Sequence, residues 1–103
     1  MESKMQDTIC TAIKIKHRIT FRVGNDPHDI IFEPHVLYTK NSQTWLAGNK
    51  CGSIQKASAS STWASLELVD ITGIKISLEK FIVDPFYEAN RNSFGQQIIC
   101  AVE

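Results

Sequence analysis

The feature that most narrows the fold is a strict alternation over residues 18–23 that runs straight into a turn. Ile19, Phe21 and Val23 fall on one face, and Arg18, Thr20 and Arg22 on the other. A period of two belongs to a strand with one buried face, and here the wet face is basic. Gly24-Asn25-Asp26-Pro27 follows, supplying positive φ, side-chain-to-backbone hydrogen bonds and a fixed φ, so a hairpin return is expected. The next run, Ile30 to Phe32, is apolar on both faces and stops at Pro34, which has no N–H for a ladder and so marks a bend or an edge. The chain resumes as HVLYTK (35–40), and Asn41-Ser42 then separates it from QTWLAG (43–48) with the spacing of a second hairpin.

Residues 49–61, NKCGSIQKASASS, are small and polar without an apolar period and are expected to form a loop. In TWASLELVD, Ala64, Leu66 and Leu68 alternate with Ser65 and Glu67, which makes a strand with one buried face. Ile74 and Ile76 continue the pattern after Gly73, and residues 97–102 form a late strand. Near the start, Ile9, Ala12 and Ile13 suit a short helix over residues 7–17 begun by Asp7 or Thr8, although Ile13-Lys14-Ile15-Lys16 also alternates like a strand. Short strands at close spacing after one N-terminal helix predict a mainly β chain, either a small barrel or a strongly bent antiparallel sheet. Ile19, Phe21, Leu66 and Leu68 are its expected core.

At 103 residues the chain suits a single domain, 1–103, and 43% hydrophobic with 21% charged residues places it among chains that fold. Eleven basic and eleven acidic residues cancel, so no overall positive field draws it to polyphosphates, and any nucleic-acid contact has to be local. Cys10, Cys51 and Cys100 are odd in number and never form a C-x-x-C pair, which argues for reduced thiols over a disulfide framework or a zinc knuckle. MESKMQDTIC lacks the apolar core of a secretory signal, and no apolar run approaches the ~18 residues of a membrane span. A soluble, cytoplasmic protein is therefore expected.

His28, Asp29, Glu33 and His35 have metal-ligand chemistry, but an extended strand would separate the two histidines by ~23 Å unless Pro34 folds the chain back. Strand and turn positions are the simpler account of them. Cys10 and Cys100 sit in apolar runs as inert thiols, leaving Cys51, beside Lys50 in a polar stretch, as the candidate reactive one. With no nucleophile elbow, phosphate loop or dinucleotide fingerprint, the chain is expected to be non-catalytic and to need no cofactor. Lys14, Lys16, His17, Arg18 and Arg22 form the one basic concentration. It is a solvated face in the plain account, or two arginines able to grip a phosphate or carboxylate with forked hydrogen bonds. Trp45 and Trp63 are core residues or stacking platforms.

Several motifs carry a family resemblance in order: ICTAIKIKHRITFRV, then IIFEPHVLYTK with its central Glu-Pro, TWLAG, LELVDITGIKI and FIVDPF. Residues 9–86 thereby resemble the WYL domain, a bacterial regulatory module named for a Trp-Tyr-Leu tripeptide. YEANRNSFG resembles the start of the C-terminal extension common in these proteins, so residues 87–103 would begin that extension. The resemblance implies an SH3- or Sm-like small barrel that senses a ligand, usually a nucleotide or nucleic-acid fragment, within transcriptional regulators and phage-defence systems. Thr44-Trp45-Leu46 stands where Trp-Tyr-Leu would, and Glu67 and Asp70 occupy the positions of two family arginines. Two reversed charges disfavour an anionic ligand. The helix-turn-helix that normally accompanies the family is absent from this sequence.

Two functions follow as expectations. One is a stand-alone ligand-binding regulatory domain whose pocket uses Arg18, Arg22, His35 and Trp45, with Glu67 and Asp70 as an acidic rim. Its ligand would be an unknown small molecule or nucleotide, and its binding to duplex DNA weak. The other is a protein-interaction module that has lost the ligand site and pairs through an exposed sheet edge, as a homodimer or with a partner.

Overall fold

The alternating segments become a single antiparallel sheet in the computed structural model, which describes residues 2–53, 57–85, 87 and 97–102. Helix α1 (Glu2–Ile15) precedes β1 (His17–Val23), β2 (Ile30–Lys40), β3 (Gln43–Ser53) and β4 (Ala57–Glu67). A 3-10 turn (Leu68–Asp70) leads to β5 (Ile71–Lys80), and β6 (Ile98–Ala101) comes last. Strand order is β4-β3-β2-β1-β5, with β6 added to β2, and the sheet does not close. The expected mainly β antiparallel architecture with one N-terminal helix is present, and the sheet stays open instead of closing into a barrel.

The helix starts before the expected position and ends at Ile15, so the ambiguous Ile13-Lys14-Ile15 belongs to it. Ile9, Ala12 and Ile13 form its buried stripe, with Met5 packed alongside one turn earlier. Lys16 stops it with φ 59°, and its carbonyl accepts the N–H of Phe81 at 2.9 Å. In β1 the alternation holds: Ile19 and Phe21 are fully buried. The following turn bonds the Asp26 N–H to the Val23 carbonyl, while the Asp26 carboxylate accepts the His28 N–H at 2.9 Å. Asn41 and Ser42 have φ of 54° and 65°, the two left-handed positions of a two-residue hairpin between Lys40 and Gln43.

Pro34 does not end a strand. β2 runs unbroken from Ile30 to Lys40, because its pairing with β1 stops at Phe32 and its pairing with β6 starts at Val36. On those flanks the missing N–H of Pro34 therefore costs no ladder bond, and toward β3 it lies beside a register shift between Pro34 and Val36. Gly48 faces this irregularity, and a Cβ there would overlap the Glu33 carbonyl and come within 2.8 Å of the Phe32 ring.

The expected loop at 49–61 is largely two strands, β3 reaching Ser53 and β4 beginning at Ala57. Small polar residues form strands here because the backbone ladder between β3 and β4 holds them, which requires no apolar alternation. Leu68 is buried, but in the 3-10 turn rather than in the strand. Leu66, expected in the core, is only half-buried. β2 is covered on both faces. Leu37, Leu46 and Leu66 share a cross-strand rung on the face of α1, while Glu33, Asn49 and Trp63 share one on the opposite face, under Phe81 and Tyr87. Residues 88–96, where the expected C-terminal extension begins, lie outside the described residues.

Candidate functional site

The wet face of β1 is built from cross-strand ion pairs. Ile19 pairs with Phe32 and Phe21 with Ile30, so the same register sets Arg18 opposite Glu33 and Arg22 opposite Asp29. Arg18 Nε lies 3.0 Å from Glu33 Oε2 and its Nη1 3.1 Å from Glu79 Oε2, while Arg22 Nε lies 3.1 Å from Asp29 Oδ1. Each guanidinium is engaged by the chain's own carboxylates, and the Glu33 side chain is only 12% exposed. A phosphate would have to displace them. Cys51 adjoins this cluster, its Sγ 3.8 Å from the Asn49 carbonyl. Burial pushes the Cys51 thiol up to about 11, with the Glu33 charge acting in the same direction, so the candidate reactive cysteine is a protonated, unreactive thiol at neutral pH.

His35 is fully buried. Its Nδ1 lies 2.8 Å from the Glu33 carbonyl, and its Nε2 accepts the backbone N–H of Asp84 at 2.9 Å. An N–H pointing at Nε2 requires a lone pair there, so the ring is neutral and Nδ1 carries the proton that it donates to Glu33. Phe81, Trp63 and Tyr87 surround it at centroid distances of 5.0, 5.2 and 5.7 Å. Burial holds its pKa below the ordinary 6.5, against the Glu33 hydrogen bond and the Asp84 and Glu33 charges, which favour protonation. Asn49 Nδ2 donates to the Asp84 carboxylate beside it. His35 is thus a clasp holding the segment after β5 onto the sheet, with neither ring nitrogen left for a ligand.

Trp45 and Glu67 do come together, on one rung with Tyr38 across β2, β3 and β4. The Trp45 Nε1 donor is buried and finds no acceptor among the described residues. Asp70 is exposed at the 3-10 turn, where its carbonyl accepts the Gly24 N–H at 2.9 Å. The six expected ligand residues therefore divide among a salt-bridged face, a buried clasp, one tryptophan rung and a turn. His28 pairs with Asp26 at 3.0 Å, separate from His35, and no group of metal-ligating side chains forms among the described residues.

The expectation of reduced Cys10 and Cys100 is overturned: they form a disulfide that ties α1 to β6. Ninety residues of separation carry no local signal, whereas β6 pairing sets Cys100 opposite Leu37 on the helix-covered face. The partners of the arginines and the aromatic wall of His35 were also missed. The former follow from hairpin register alone, the latter only from the placement of Phe81, Asp84 and Tyr87 against His35.

Fold and site together define one N-terminal helix on an open six-stranded antiparallel sheet, with the two arginines of β1 paired to carboxylates of the same chain. No family model, no curated protein and no solved structure matches the chain. No helix among the described residues is long and apolar enough to cross a membrane.

Proposed function

We propose that this chain is a non-catalytic association domain that joins a second copy of itself along the edge of β4 that no other described strand covers. The observation that carries this reading is the contrast between β4 and β5, the two ends of the β4-β3-β2-β1-β5 path. β5 is blunted by two register shifts, by Gly73 at φ 65° and by Lys75, Glu79 and Lys80. β4 pairs only with β3 among the described residues, and from Ala57 to Leu66 it carries neither a charge nor a proline. Its pairing from Thr62 to Glu67 has no irregularity. Edges of that kind accept another strand. A second copy suits it because two uncharged strands can lie antiparallel with no like charges opposed, and a net charge of zero leaves no long-range repulsion between copies.

Light scattering over a concentration series tests this. The wild-type protein should pass from monomer to dimer, and Thr62→Lys/Ser65→Lys, which charges two exposed edge positions, should remain monomeric with an unchanged melting temperature. A dimer that survives both substitutions would place the contact elsewhere, for example at the exposed Leu78 and Ile82.

One observation favours a second reading, ligand binding of the kind the WYL resemblance implies: the buried indole N–H of Trp45 beside Glu67, without an acceptor among the described residues, calls for one. A ligand there would stack on the indole and need no anion grip. Nucleotide titration followed by tryptophan fluorescence should then show quenching that Trp45→Phe abolishes and Arg22→Ala leaves intact. No quenching would remove this reading. In both readings duplex DNA binds weakly and without sequence preference, since the arginines are neutralised.

A further inference from the structure

We propose that the Cys10–Cys100 disulfide is a thiol-exchange site for a small thiol that carries carboxylates. Both cysteines are half-buried, although their neighbours Ile9 and Ile13 are sealed in the core, and both line a groove of about 380 Å³ between α1 and β6. The groove is completed by Ile13, Lys14, Lys16 and Ala101, so among the described residues its charged lining is basic. Such a groove admits a peptide-sized thiol to the sulfurs and attracts its carboxylates.

Lys14 follows Cys10 by one helical turn and shares its face, which gives the exchange a direction. The incoming thiolate attacks Cys100 Sγ. As the new S–S bond forms, the Cys10–Cys100 bond breaks, and its electron pair leaves on Cys10 Sγ, stabilised by the Lys14 ammonium and then protonated by water. A second thiol attacks the mixed disulfide at the outer sulfur and releases Cys100 as a thiol. In balance, two thiols are oxidised to one small-molecule disulfide while the protein disulfide takes up two electrons and two protons. The consequence falls on β6, a four-residue strand held otherwise by three rungs to Val36, Leu37 and Tyr38 and by flanking backbone bonds from Thr39 to Gln97 and from Val102 to His35. Reduction loosens it.

The test compares reduced glutathione, which is anionic, with neutral 2-mercaptoethanol on the native protein, each rate normalised to that on the urea-unfolded chain. Glutathione should be favoured on the order of tenfold at low salt, and the preference should collapse at high salt and in Lys14→Glu/Lys16→Glu. Mass spectrometry should place the transient adduct on Cys100, and amide exchange at residues 98–101 should rise on reduction. Equal normalised rates, an adduct on Cys10, or a disulfide that neither thiol reduces before global unfolding would overturn the proposal.

Discussion

At the residue scale, His35 couples the stability of the fold to pH. Its pKa in the folded protein lies below 6.5, its ordinary value, so the unfolded chain binds the extra proton first. The contribution of the neutral ring is complete above pH ~6.5 and is lost as the pH falls through the lower folded-state value. Protonation would also turn the Nε2 lone pair into a donor facing the Asp84 N–H, while the Asp84 and Glu33 carboxylates limit the penalty. The urea midpoint should therefore drop on acidification below about pH 6.5, and His35→Phe should flatten that part of the profile. A slope unchanged in His35→Phe would mean that another group drives it. Cys51 gives a complementary expectation: Ellman's reagent should label it slowly at pH 7 in the folded state and rapidly in urea. Burial of Ile19 and Phe21 was legible because strand period decides it, so Phe21→Ala should cost about 3–5 kcal/mol in chemical denaturation. Leu66 was not legible. It stands on edge strand β4, where part of the side chain stays exposed, and Leu66→Ala should cost only about 1–2 kcal/mol.

The strands owe their bends to positions where local rules and the ladder disagree. Pro34 by itself reads as a strand end, yet it survives inside β2 because its neighbours change partners there, which only the assembled sheet reveals. Gly48 is the price of that irregularity. A methyl group at 48 meets backbone at Glu33, which cannot swing aside, so Gly48→Ala should destabilise by about 3 kcal/mol in the same denaturation assay. If Gly48→Ala were neutral, the close approach of β2 and β3 would be wrong. The hairpin at Asn41-Ser42 and the turn at 24–27 were readable because their residue types supply the backbone geometry directly. By contrast, the strand residues 49–53 and 57–61 were hidden, since small polar residues leave no hydropathy period. The disulfide spans 90 residues of sequence, and Cys100→Ser should lower stability by about 3–5 kcal/mol, measured against wild type without reductant.

For the whole molecule, the mainly β architecture followed from periodicity, but the surface chemistry did not. The sequence shows a basic strand face, whereas the folded sheet sets an acid against Arg18 and Arg22 and so neutralises that face. That neutralisation removes the anion-binding reason for the WYL-like site and shifts weight to the edge of the sheet. Association through β4 is the central claim, and concentration-dependent amide exchange tests it most directly. On raising the protein from micromolar to millimolar, residues 62–67 should gain protection while Ile76 to Lys80 on the opposite edge exchange as before, and Thr62→Lys/Ser65→Lys should abolish the gain. Exchange at 62–67 that is independent of concentration, or protection that appears at β5 instead, would contradict it.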